Sequence, residues 1–202
     1  GSNTMVLCAA GNVAHDQLVK LANGLFPTLS PSNDGAESSA RYTGGEHRTV
    51  RELEQIHLVM GFPGIAYHDD DYFAASVLST LFGGGMSSRL FQEIRERRGL
   101  AYSIYSFNSS YRDCGLTGIY AGTGAKEIEE LLPVLCSEIC ALPNSLNEKE
   151  VTRARNQIKA SLLMSLESTG ARAEQLAQQM LIFGRPIPVD ELVGRVEAVD
   201  AN

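Results

Sequence analysis

LFGGGMSSRLFQEIRERRGLAY, residues 81–102, joins an apolar helical run to a strand through three consecutive glycines. Gly83, Gly84 and Gly85 have no Cβ, so the chain there can take backbone angles closed to other residues and can let another backbone come close. Ser87 or Ser88 is placed to cap a short helix, in which Leu90, Phe91 and Ile94 form one apolar face. Glu93 and Arg97 have the i,i+4 spacing of a helical ion pair on the opposite face. Gly99 supplies a left-handed stop, and LAYSIYSF beyond it has the composition of a strand. Arg95 therefore falls in the last helical turn and Tyr102 early in the strand, and the turn between them brings both toward one spot beside the glycines. Spacing alone leaves each with two readings. Arg95 either caps carbonyls at its own helix end or reaches a ligand, and Tyr102 either fills the sheet or offers a hydrogen bond. The glycine triplet is not a phosphate loop, because no Gly-Lys-Ser/Thr follows and it leaves a helix instead of a strand. It reads as a loop touching a bound chain or as a structural hinge.

Upstream, residues 54–62 alternate Ile56, Leu58, Met60 and Phe62 with a second face, the period of a half-buried strand, and Pro63-Gly64 is expected to break it. His57 falls on the other face, where a solvent-side or satisfied histidine is expected. Asp69, Asp70 and Asp71 suit the start of a helix, along which Ala74, Val77, Leu78, Leu81 and Phe82 recur at helical intervals. Downstream, residues 100–108 and 116–122 are β-rich, and 109–115 suits a hairpin connection. Residues 126–142 have helical period, with Pro133 placed to kink them. Asn147 and Glu150 resemble a capping box for a long helix to Glu167. Gly170 interrupts, a second helix carries Leu176, Met180 and Leu181 to GRPIP, and residues 190–199 form a last short helix. At the other end, residues 4–11 read as an apolar strand followed by a helix that Pro27 closes. From 28 to 46 the composition turns to Ser, Gly, Pro and Asn, which marks a linker and a domain boundary. Hairpin-linked strands followed by several helices give an α+β class: a mostly antiparallel sheet with helices packed on one face.

The composition narrows the function. With 202 residues, 44% hydrophobic and 20% charged, the chain has the make-up of a soluble globular domain. A net charge of −7 argues against a nucleic-acid partner. No apolar run is long enough to span a membrane. Cys8, Cys114, Cys136 and Cys140 are too few and scattered for a disulfide framework, so free, mostly buried thiols in a reducing compartment are expected. Cys136 and Cys140 have helical i,i+4 spacing, yet apolar packing outweighs metal binding there, since no histidine or further cysteine is near. Gly1-Ser2 reads as a tag remnant.

Four segments carry a resemblance to a known family: FGGGMSSRLFQEIRERRGLAYS, EQIHLVMGFPG before it, and SSYRDCGLTGIYAGTG and ARNQIKASLLMSLESTGARAEQLAQQMLIFGRPIP after it. In kind and order they are similar to the C-terminal half of pitrilysin/insulinase-type zinc metallopeptidases, in the branch of the mitochondrial processing peptidases and their bacterial relatives. AAGNVAHDQLVKLANGLF resembles the last strand and helix of the preceding N-terminal half. The resemblance implies that 1–27 is the tag remnant plus that terminal strand and helix, 28–46 the linker, and 47–202 the non-catalytic C-terminal domain without its last strand. The strand MVLCAAG is then expected to cover an open sheet edge, either in its own chain or in a neighbouring one.

The same resemblance implies a site. The family's zinc is held by H-x-x-E-H and a downstream glutamate, whereas His15, His47, His57 and His68 are nowhere closer than 10 positions, so no metal ligand and no catalytic residue is expected in this chain. The parent would carry zinc, and the fragment would bind no cofactor and be inactive alone. Arg95 and Tyr102 would hold the substrate backbone and support the developing oxyanion, with Gly83, Gly84 and Gly85 as a substrate loop. Expected partners are an N-terminal catalytic half or a partner subunit, and an unfolded peptide or presequence, with a homodimer also open. Neither nucleic acid nor membrane is expected, and the compartment would be bacterial cytoplasm or mitochondrial matrix. The alternative is a non-catalytic partner or scaffold subunit of the same family.

Overall fold

The computed structural model describes residues 2–31 and 39–201. Part of the expected linker, residues 32–38, lies outside them. By contact the chain divides into two compact units, Gly1–Ser38 with Ala160–Leu192, and Ser39–Lys159 with Val193–Asn202.

The second unit is built on a three-stranded antiparallel sheet: β1 (Ile56–Gly64), β2 (Ser103–Ser110) and β3 (Gly115–Thr123), in the order β1-β3-β2. The register places Leu58 and Ile104 opposite Ala121, and Met60 opposite Ile119, so the apolar alternation of all three strands falls on one face. Val59 and Tyr105, both opposite Tyr120, line the other face. Pro63 and Gly64 do not break β1 as expected; both stay in register, opposite Leu116 and Gly115. β1 is an edge strand, so the missing N–H of Pro63 removes no necessary ladder bond.

Helix α2 (Tyr72–Gly83) and helix α3 (Ile128–Ser145) follow β1 and β3 in the chain. Phe82 from α2, Leu131 and Leu135 from α3, and Leu90 and Ile94 between them close over the apolar sheet face, the helices-on-one-face arrangement expected. The helical period of α3 survives Pro133, which stands between the fully buried Leu131 and Leu135. A second cluster joins Val77 and Leu81 of α2 to Val151 and Ala154 of helix α4 (Glu148–Ser165) and to Val196 of helix α6 (Val189–Glu197). Helix α2 thus uses one side for the sheet and another for α4. Asn147 Oδ1 accepts the N–H of Glu150 at 3.1 Å, while its amide donates to the Glu150 carboxylate. The expected capping box is therefore half backbone and half side chain.

In the first unit, helix α1 (His15–Leu25) and helix α5 (Thr169–Phe183) contain no buried residue. Ser168 caps α5 through the N–H of Ala171, so Gly170 sits inside the first turn of α5 and not in an interruption. Gly184 ends that helix at φ +67°.

The strand expected over residues 4–11 is absent. A 3₁₀ turn, Ser2–Thr4, leads into backbone that has no strand conformation among the described residues. An apolar, β-prone sequence becomes a strand only when another strand takes up its backbone groups.

Candidate functional site

The helix after the glycines is not a plain α-helix. Phe91–Glu96 is a π-helical turn, in which Arg97 N–H donates to Gln92 O at 3.0 Å. Its exit is widened to match. Gly99, at φ +67°, donates to Arg95 O at 3.1 Å, as Gly184 does to Met180 O, whereas Leu100 donates to Ile94 O at 2.9 Å, one residue further back than the matching bond of an ordinary glycine-ended helix. Tyr102 N–H then donates to Gly122 O at 2.8 Å, which seats the start of β2 against β3.

This widened turn distributes the four arginines of the stretch unequally. Arg97 and Arg98 both reach the Glu93 carboxylate, at 2.6 and 3.2 Å. Arg89 is largely buried and grips both oxygens of Glu150, at 2.8 and 2.6 Å, and the Ser145 hydroxyl at 2.6 Å. That hydrogen bond holds the Glu150 carboxyl below the usual carboxylate range and raises the Arg89 guanidinium further. Arg95 differs. It is exposed, lies over the Phe91 ring at 4.8 Å, and has no carboxylate partner among the described residues. Tyr102, 64% exposed, keeps its phenol at the surface. Both residues singled out in the sequence are thus solvent-accessible and lie within the same compact unit.

The three glycines serve three different needs. Gly83 is the buried last residue of α2, where a Cβ would meet Ser106 N of β2 at 2.2 Å; it lets helix and sheet touch. At Gly84 a Cβ would collide with the Thr80 backbone at 2.5 Å. Gly85 stands at φ +152°, a region that favours glycine. Only Gly84 and Gly85 belong to the exposed loop, which continues through Met86 and Ser87. The capping expected of Ser87 or Ser88 takes another form. Ser88 is buried, and both its N–H and its hydroxyl donate back to Gly85 O, at 3.0 and 2.6 Å. Two side chains absent from the sequence reading hold the same loop. Gln157 of α4 donates to Gly84 O at 2.6 Å, and Gln92 donates to Met86 O at 2.7 Å. Gln157 lies 73 positions away from its acceptor, and no local pattern signals such a contact.

Elsewhere in the unit, His57 meets the expectation of a satisfied surface histidine, with Nδ1 at 2.7 Å from the Tyr120 hydroxyl. The expectation of mostly buried thiols fails for Cys136 and Cys140, which are exposed on the side of α3 away from Leu131 and Leu135. Among the described residues no three His, Cys, Asp or Glu side chains converge to hold a metal ion. No described helix is long and apolar enough to cross a membrane.

Comparison with known proteins gives a consistent picture. The family model described as the peptidase M16 inactive domain matches residues 1–158. An uncharacterized zinc protease of Rickettsia felis is 37% identical over 202 residues, covering 100% of this chain and 49% of the relative. The human mitochondrial-processing peptidase subunit beta is 36% identical over 212 residues, covering 98% of this chain and 43% of that subunit. The chain spans about half the length of the curated relatives it matches. In structure it is similar to a peptidase M16 inactive domain from Pseudomonas fluorescens, with a TM-score of 0.65 and 26% identity over 73% of this chain and 35% of the other.

Proposed function

The chain belongs to the peptidase M16 family through its inactive domain, and from that premise we propose that it is the substrate-binding half of a zinc-dependent endopeptidase acting on unfolded peptides or presequences. The observation that carries this reading is the isolation of Arg95. Its three neighbouring arginines are spent on Glu93 and Glu150, while Arg95 is exposed and unpaired by any described carboxylate. An arginine that served only to stabilise this turn would gain from the same pairing. One stacked on an aromatic ring instead keeps its donors available in a preset orientation.

Arg95 and Tyr102 offer a peptide two kinds of donor. The guanidinium brings permanent charge and a planar fork for a carbonyl oxygen that gains negative character; the phenol donates a hydrogen bond without adding charge. Zinc and a general base would come from residues outside this chain, in a catalytic half or a partner subunit. No step involving the metal is assigned to the residues described. The compartment we assign is reducing, bacterial cytoplasm or mitochondrial matrix, in keeping with free Cys136 and Cys140 at the surface and with bacterial and mitochondrial relatives.

The test uses the protein carrying both halves and a quenched fluorescent peptide that has no stable fold. Arg95→Ala and Tyr102→Phe should each lower kcat/KM, by up to roughly 10²- to 10³-fold if the lost donor serves the oxyanion. Cleavage at the parental rate in both variants, or an assembled protein that cleaves no peptide, would overturn the reading.

A further inference from the structure

We propose that Gln92 and Gln157 are positioning residues for substrate binding, holding the glycine loop so that its N–H groups meet the carbonyl oxygens of an extended peptide. The inference rests on the peptide-binding reading above and goes beyond it by assigning the loop's donors and the side chains that orient them.

The turn spans residues 84–87. Three of its four carbonyls are taken. Gly84 O accepts from Gln157 at 2.6 Å, Met86 O from Gln92 at 2.7 Å, and Gly85 O from the N–H and hydroxyl of Ser88. The N–H groups are treated differently. Gly84 N–H closes the end of α2 on Thr80 O at 2.9 Å, but those of Gly85, Met86 and Ser87 find no acceptor among the described residues. The loop is exposed from Gly84 to Ser87. With three of its four carbonyls already accepting, it presents mainly donors, a surface that favours carbonyl oxygen over amide N–H.

Glutamine suits this task chemically. Its amide donates to a backbone carbonyl without bringing a charge that would attract a carboxylate or repel an arginine of the substrate. The two tethers come from different elements, Gln92 from the π turn and Gln157 from α4, so the loop is fixed at both ends. A mobile glycine loop would have to be ordered whenever peptide bound, at a conformational cost of about 1–2 kcal/mol per residue. Tethers that remove this cost in advance improve binding and leave chemistry alone. With three exposed donors in place, the loop can hold a strand of peptide while Arg95 and Tyr102 meet it further along.

Two experiments test the assignment. In the protein carrying both halves, Gln157→Glu and Gln92→Glu replace a donor with an acceptor that repels the loop carbonyl, while Gln157→Lys and Gln92→Lys keep a donor. The glutamate variants should raise KM for the unfolded peptide by roughly tenfold, the scale of one hydrogen bond, with kcat within about twofold. The lysine variants should restore most of the loss. In this chain alone, titration with a short peptide blocked at both ends should shift the ¹H–¹⁵N resonances of Gly85, Met86 and Ser87, and Gln157→Glu should weaken that response. Glutamate variants with parental KM, beside an impaired Arg95→Ala, would overturn the positioning role and leave the peptide-binding reading intact. Loop resonances that ignore the peptide in the parental chain would overturn the donor assignment. An unaffected Arg95→Ala beside a responsive loop would instead count against the reading and support the loop.

Discussion

The guanidinium of Arg89 and the carboxylate of Glu150 face each other through two parallel hydrogen bonds, 2.8 and 2.6 Å long, across 61 positions of sequence. Arg89 opens the helix after the glycine loop, and Glu150 lies in the first turn of α4, where the carboxylate also receives the Asn147 amide. The pair thus fixes the loop's far side to the helix that carries Gln157.

Removing one partner should be costly, because the other is then left largely out of water without its counter-charge. Side-chain exposure is only 13% for Arg89 and 17% for Glu150. Arg89→Ala should destabilise the fold by about 2–3 kcal/mol, the range for hydrogen bonds to charged groups discounted for partial exposure. Urea unfolding of the variant measures it; a midpoint equal to the parental one would show the pair to be ornamental.

The same pair sets a pH dependence. Arg89 holds the Glu150 carboxyl below its ordinary value of 4.5, so the folded state binds this proton less readily than the unfolded chain. The stabilisation is therefore complete above about pH 4.5 and is lost as pH falls through the lower folded value. The stability gap between the parental chain and Glu150→Gln should be constant near neutrality and shrink in acid. A gap that widened in acid would reverse the sign argued here.

Glycine substitutions should separate packing from propensity. Gly83→Ala puts a methyl 2.2 Å from Ser106 N, so α2 must move off β2, at about 1–3 kcal/mol. Gly194→Ala, inside α6 with nothing within 4 Å, should instead stabilise by about 0.5–1 kcal/mol. Thermal unfolding of the two variants should move in opposite directions.

Arg95 and Tyr102 should show the opposite balance to Arg89. Both are exposed, and truncating them leaves no buried group unpaired. Arg95→Ala and Tyr102→Phe should therefore keep stability within about 0.5 kcal/mol of the parental chain while losing peptide cleavage in the assembled protein. A large drop in melting temperature would mark them as structural residues instead.

The thiols should divide into two classes. Cys136 and Cys140 are exposed on α3, whereas Cys8 and Cys114 are partly covered, and burial followed by the Asp113 charge pushes the Cys114 thiol up. An aromatic disulfide reagent added to the folded chain should titrate Cys136 and Cys140 first, since thiolate fraction and access set the rate. Reaction of Cys114 ahead of either would contradict the placement.

Much of this architecture is written locally. The alternation of Leu58, Met60 and Phe62, the helical spacing of Val77, Leu81 and Phe82, and the left-handed stops at Gly99 and Gly184 each depend on side-chain period or on a single residue's allowed backbone angles. Such signals span a few residues, so sequence alone determines these elements and the face each one buries, although the same signals also suggested a strand over residues 4–11 that does not form. It also singled out Arg95 and Tyr102, through spacing joined to a family resemblance. What only the tertiary structure decided are relations between distant segments: which arginine of the four has no described carboxylate partner, that Gly83 serves helix-to-sheet contact while Gly84 and Gly85 form the loop, and that Gln157 reaches Gly84. Hydrogen bonds across 61 or 73 positions exist only once helix and sheet have docked, and docking is set by the whole packed core and not by any stretch within it.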